Sequence, residues 1–346
     1  MMTLILYLII LLGGLYPYSL LESKSRSIGI LVNSNWTGEY SFAYRIESAG
    51  KNLGWDVTIL DSNQDTYSQR KFDWILTLIP DSATKTSYSD SPNYLVLFDP
   101  VNHYFDETFC LSENFSKYHG YLKTFEAPII LKNEIKKPIY PFPWYPSVQY
   151  RPYKECIPKK IFYFVGQWGN RCHDIKHKVL QSLLSQQDYS CFFGNPEMGC
   201  LYKDVYKGEI PYGAETIQDH IFKLGVSLVL HSDIHIAHKI PSGRIFEAAG
   251  SSSVIISDMN PFIKENFGDS VLYVDQTASG EEMFAQIDAH MHWILTHQIE
   301  AQQMAERSYI LFCEKFSLEH QLICFDKWHQ SLRNPIQARL RRPHQN

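Results

Sequence analysis

An arginine and a glutamate stand three positions apart in residues 240–258, "IPSGRIFEAAGSSSVIISD". Pro241 and Ser242 are helix-start residues, and Ser242 is the expected N-cap. Arg244 and Glu247 then fall one helical turn apart, so their side chains share a face. A guanidinium there can donate a forked pair of hydrogen bonds to phosphate oxygens. A carboxylate one turn on can accept two hydrogen bonds from vicinal hydroxyls, such as those of a ribose. Gly243 is expected to clear side-chain bulk where phosphates approach, and Ala248, Ala249 and Gly250 let the helix lie close to a sheet. The plain alternative is an i,i+3 ion pair on a solvated surface, worth ~0.3–0.5 kcal/mol. A solvated helix, however, needs neither Pro-Ser-Gly ahead of it nor an Ala-Ala-Gly run within it.

A second cluster lies upstream, where "KIFYFVGQWGNR" reads as an apolar strand running into a glycine-bearing turn. Gly166 and Gly169 allow close backbone approach, and the helix that follows offers its N-terminal N–H groups to an anion. Arg171 and Lys176 are spaced to bring two cations to a diphosphate. Plain turn glycines would give the same local pattern.

Positioning these residues calls for a particular layout. Strands are expected at 28–32, 57–60, 72–79 and 94–98, with a helix carrying Phe42, Ile46, Ala49 and Leu53 between the first two. The rhythm restarts after residue 160, with strands near 161–165, 190–194, 225–230, 253–256 and 271–274. Helices are expected at 280–296, striped by Met283, Ile287, Met291 and Ile294, and at 300–315. Strands alternating with helices imply parallel sheets covered on both faces. Between the halves, residues 138–158 hold six prolines, read here as a joint whose Tyr, Phe and Trp pack on a domain face. The expected fold is therefore α/β, two Rossmann-like domains facing a cleft, behind an N-terminal hydrophobic segment. The segments are 1–26, 27–137, 138–158 as the Pro-rich linker, 159–333, and a basic tail at 334–346. Ligands in such sheets bind beyond the carboxyl ends of the strands.

Residues 161–328 resemble the nucleotide-sugar-binding domain of GT-B glycosyltransferases of the "glycosyl transferases group 1" and spore-coat-like type. The match runs through "IPSGRIFEAAGSSSVIISDMNPFIKENFGDSVLYVD", including the Asp-x-x-Pro turn. The resemblance implies a metal-independent enzyme with no cofactor, moving a hexose-like sugar from a nucleotide-diphosphate carrier to a hydroxyl of a glycan, lipid or protein. The family's donor-site glutamate falls on Glu247, its adjacent arginine on Arg244, and its phosphate loop on 166–171. Many retaining relatives carry a second glutamate eight residues before the one at 247, where this chain has Lys239, so the stereochemical course does not carry over. The rivals are a fucosyltransferase-like enzyme using a GDP-sugar, whose motif differs here, and a non-catalytic membrane-tethered carbohydrate- or nucleotide-binding module. A nicotinamide dehydrogenase is disfavoured because no G-x-G-x-x-G follows either half's first strand.

Two features bear on the chemistry. No two aspartates stand two positions apart, so the D-x-D pair with which another glycosyltransferase fold holds a cation is missing. Leaving-group charge would then fall to Arg171, Lys176, Arg244 and helix-terminal N–H groups. The segment "HSDIHIAHK", with His231, Asp233, His235 and His238, has one His-x-x-His spacing but no cysteine or carboxylate completing a familiar metal set. Inverting transfer would also need a base near the acceptor hydroxyl. His103 and Asp99, after the 94–98 strand, are the candidates, with His119 a third and Glu39 a further polar group of the first loop.

Composition sets the outer limits. Hydrophobic residues at 45% and charged residues at 20% describe a globular chain, and a net charge of −5 argues against nucleic acid as the main partner. Seven cysteines without a C-x-x-C pair argue against a disulfide or zinc scaffold. Residues 3–21 carry no charge and Lys24 and Arg26 follow, so a single membrane anchor with a cytoplasmic body is expected, a cleaved signal and a lumenal body being the alternative.

Overall fold

The computed structural model describes residues 25–33, 35, 37–62, 70–78, 91–97, 118–124, 137–165, 171, 174–197, 201–211 and 216–333. Among them run two all-parallel sheets. The first is ordered β2(Asp56–Asp61), β1(Ser27–Val32), β3(Trp74–Thr77), β4(Asn93–Leu97), β5(Gly120–Lys123), β6(Ile139–Pro143). The second is ordered β11(Leu272–Val274), β10(Val254–Asp258), β9(Gly225–Val229), β7(Lys160–Val165), β8(Ser190–Gly194). Every described pairing is parallel, so ligand-facing strand ends lie on one edge of each sheet.

Helix α1(Thr37–Asn52) covers the first sheet, burying Phe42, Ile46 and Ala49 beside Ile30, Trp74 and Val96. In the second half α2(Ile175–Leu184) lies on one face, with Leu180 and Leu184 against Tyr163 and Val165. Helix α3(Thr216–Leu224) covers Phe162 and Phe193 on the other face. The short α4(Asp233–Ala237) leads to α5(Gly243–Gly250), whose Ile245 and Phe246 pack on Val229 and Ile255. Helix α6(Pro261–Phe267) is capped by Asn260, which accepts from the Phe262 N–H at 2.9 Å. Helix α7(Gly280–Thr296) opens on a Ser279/Glu282 capping box and buries the Met283, Ile287, Met291, Ile294 stripe. Helices α8(Gln298–Lys315) and α9(Leu318–Arg333) complete the chain that is described.

Two elements depart from the sequence expectations. The proline-rich joint begins as a strand. β6 carries Pro141 and Pro143, and it is tolerated because it lies at the sheet edge, paired only with β5 through a shifted register. Its downstream part packs on the second half, where the Tyr145 ring lies 5.4 Å from that of Phe246 and 5.0 Å from that of Phe262. Residues 318–333, assigned by sequence to the second domain (159–333) without a helix of their own, form α9, which returns instead to the first half. Leu318, Leu322 and Phe325 enter that half's core. Arg26 donates two 2.8 Å hydrogen bonds to Asp326, and the Trp74 indole N–H adds a third to the same carboxylate. Buried Glu319 accepts from the Asn52 amide and the Tyr150 N–H. A chain that crosses back in this way ties both halves together at two points.

Candidate functional site

The α5 N-terminus sits where the sequence placed it, behind the carboxyl edge of the second sheet. Ser242 caps it, its hydroxyl accepting from the Arg244 N–H at 3.2 Å. Arg244 and Glu247 meet side chain to side chain. The pair is not a solvated one: the Glu247 side chain is 3% exposed and that of Arg244 is 29% exposed. The Arg244 guanidinium also lies 3.7 Å from the centre of the Phe164 ring on β7, a cation–π stack that fixes its plane.

A third member was not visible in the sequence. Arg45, on α1 of the first half, donates to the other oxygen of Glu247 at 2.8 Å. Its side chain is 12% exposed, and its Nε–H is buried without a partner among the described residues. Burial pushes the Glu247 carboxyl up, but the guanidinia of Arg244 and Arg45 outweigh it and hold the group below the ordinary carboxylate value. Burial, offset in part by Glu247, lowers the Arg45 guanidinium. The only sequence signal for Arg45 was a basic residue among the apolar positions of the first helix.

Gly243 has a packing reason on the protein side. A Cβ there would meet the Pro146 carbonyl oxygen at 2.7 Å, so the missing side chain admits the joint's backbone. At Gly250 a Cβ would press on Val148 and Phe312, which confirms close packing of α5 and sets it against the joint and α8.

Arg171 and Lys176 are held by backbone oxygens. Arg171 donates to the Leu230 carbonyl at 2.6 Å at the end of β9, and Lys176 to the Gln276 carbonyl at 2.8 Å. Gly166 lies outside the described residues, as do His103 and Asp99. His119 is excluded as a cleft base by its position. It precedes β5 and its Nδ1 accepts from the Asn93 N–H at 3.0 Å, which puts it at the amino edge of the sheet, away from the ligand side. Glu39 lies in the first turn of α1, on the carboxyl side of β1.

In "HSDIHIAHK" the His231 and His235 rings lie 6.2 Å apart but bond different partners. His231 Nδ1 bonds Asp258 at 2.9 Å, joining the ends of β9 and β10, while His235 Nδ1 bonds the Ser232 hydroxyl at 2.6 Å. Among the described residues no group of three His, Cys, Asp or Glu side chains is placed to hold a metal ion. Nor, among them, is any helix long and apolar enough to cross a membrane; residues 3–21 lie outside them.

Neither a family model nor a curated protein matches the sequence. Solved structures do resemble it. TarM aligns at 16% identity over 73% of this chain with a TM-score of 0.47, and this chain spans about half (53%) of TarM's length. HepE from Anabaena in complex with UDP-glucose aligns at 11% identity, over 87% of this chain and 99% of that one, with a TM-score of 0.55. Sucrose-phosphate synthase from Thermosynechococcus elongatus aligns at 10% identity, over 89% and 99%, with a TM-score of 0.54. Two parallel Rossmann-like sheets and near-complete overlap with HepE and sucrose-phosphate synthase establish that the chain has the GT-B glycosyltransferase fold.

Proposed function

We propose that the protein is a glycosyltransferase that takes a sugar from a nucleoside-diphosphate carrier, with the carrier held at the N-terminus of α5. The observation that carries this is a buried, ionised carboxylate flanked by guanidinia at the carboxyl edge of the second sheet. Ion pairs that only stabilise do not need this position, whereas a carrier offering a ribose diol and a diphosphate complements it. Glu247 would take the diol, and Arg244, with its plane fixed on Phe164, would face the diphosphate.

In the transfer, the acceptor oxygen bonds to the anomeric carbon as the bond from that carbon to the diphosphate oxygen breaks. The nucleoside diphosphate leaves with the electron pair, and the hydroxyl proton passes to a base. His103 and Asp99, following β4, are the proposed bases if the reaction inverts configuration. Charge on the leaving diphosphate would be met by Arg244, Arg171 and Lys176 without a metal. HepE's complex with UDP-glucose supports UDP-glucose as the first donor to try. The uncharged run at 3–21 supports a site of action at a membrane surface, with a glycan, lipid or protein as acceptor. The test is release of nucleoside diphosphate from UDP-, GDP-, dTDP- and ADP-sugars. One donor class should be consumed by the wild type and spared by Arg244→Ala, and consumption of none would refute the reading.

A further inference from the structure

Three groups meet at Glu247, and their charges do not balance. Arg45 and Arg244 bring two guanidinia, while Glu247 brings one carboxylate. Among the described residues the largely buried cluster therefore keeps one positive charge over. In a low-dielectric setting an unmatched cation is costly, and burial already lowers the Arg45 guanidinium. Its Nε–H is buried and has no acceptor among the described residues. Both facts ask for a second anion. The two arginines also come from opposite sides, Arg244 from α5 of the second half and Arg45 from α1 of the first. Arg244 is pinned on Phe164 within its own half, whereas Arg45 reaches Glu247 only when the halves face each other.

We infer that Arg45 is a donor-binding residue supplied by the first half, turning its unpaired Nε–H and surplus charge onto the carrier's diphosphate while Glu247 takes the ribose. This rests on the reading of Glu247 as the ribose ligand. The diphosphate is then gripped from both sides of the cleft, and full affinity for it requires the halves to be together. A guanidinium suits the role because its fork can hold a carboxylate with one edge and a phosphate oxygen with another.

The experiment compares affinities for diphosphates and for the matching nucleosides by ligand-observed NMR. The pairs are UDP and uridine, GDP and guanosine, dTDP and thymidine, ADP and adenosine. In the pair the wild type binds, Arg45→Gln should weaken the diphosphate about tenfold, or ~1.4 kcal/mol, and leave the nucleoside unchanged. Arg45→Lys, which keeps the charge but loses the fork, should fall between, and it carries the test if the Gln variant does not fold. Glu247→Gln should weaken both ligands. Equal weakening of nucleoside and diphosphate in the Arg45 variants would overturn the inference, since Arg45 would then act only by placing Glu247. Unchanged or tighter diphosphate binding would overturn it too. Failure of the underlying reading looks different: Glu247→Gln would leave nucleoside affinity intact, or the wild type would bind none of the four pairs.

Discussion

Two arginine–carboxylate clusters join distant parts of this chain, and they are built to different ends. At α9, Arg26 and Asp326, 300 residues apart, form a bidentate pair in which both carboxylate oxygens take guanidinium hydrogen bonds and Trp74 adds a third donor. Asp73 adds a further negative charge beside Arg26, so this cluster has no surplus cation among the described residues. At α5, Glu247 divides its two oxygens between two arginines, and among the described residues the cluster keeps a surplus cation and an unpaired N–H. On the proposed function, the contrast separates a staple from a site. Balanced and satisfied clusters fix structure, while an unbalanced one at the ligand edge of a sheet leaves free energy to be gained from an anion.

Mutations that break one cluster should therefore spare what the other does. The largest expected effect is on the staple. Asp326→Ala strands the Arg26 guanidinium and should lower unfolding free energy by about 3 kcal/mol in urea titration, with turnover per folded molecule unchanged. Arg244→Ala should do the reverse, cutting turnover about 100-fold while stability falls by less than about 1 kcal/mol, because that side chain is partly exposed. Equal losses of turnover and stability would remove the distinction.

Gly243→Ala sharpens the comparison from the backbone side. Its new methyl group meets the Pro146 carbonyl, so stability should drop by about 1–2 kcal/mol, with nucleotide affinity per folded molecule kept. Reduced affinity at full stability would restore the ligand-clearance role first expected of this glycine.

The smallest effect is in pH. Burial pushes the His329 imidazole of α9, bonded to the Tyr94 hydroxyl, from 6.5 down to about 4. A histidine held neutral in the fold but protonated when unfolded makes stability fall as pH drops from about 6.5 toward 4. Glu247 acts in the same direction at lower pH: its carboxyl is lowered, so its contribution is present above the ordinary value of 4.5 and is lost only as pH falls through the lower folded value. Melting temperature should decline over the first window, less steeply in His329→Gln, while the α5 cluster stays paired.

What the sequence made legible was local. Alternating strands and helices, the Ser242 cap, and the shared face of Arg244 and Glu247 depend on residues within a turn or two of one another. What it hid was long-range. Helix α9 joins the first half through contacts made nearly the whole chain away, and no local period reveals which core an amphipathic helix will choose. Arg45 stands on a helix of the other half, with nothing near it to mark Glu247 as its partner. The proline-dense joint misled for a physical reason. Proline is barred from sheet interiors, yet an edge strand needs hydrogen bonds on one side only, and β6 is an edge. His119 failed as a cleft base because its direction along the strand, which one flanking residue does not reveal, puts it at the wrong end of the sheet.

The central claim is that Glu247 holds the ribose of an activated-sugar carrier, and calorimetric titration tests it most directly. UDP, GDP, dTDP and ADP would each be added to the wild type and to Glu247→Gln at matched folded concentration. The account predicts that at least one binds the wild type and loses tenfold or more in the variant, about 1.4 kcal/mol or beyond. A diphosphate that binds both proteins equally well would contradict it.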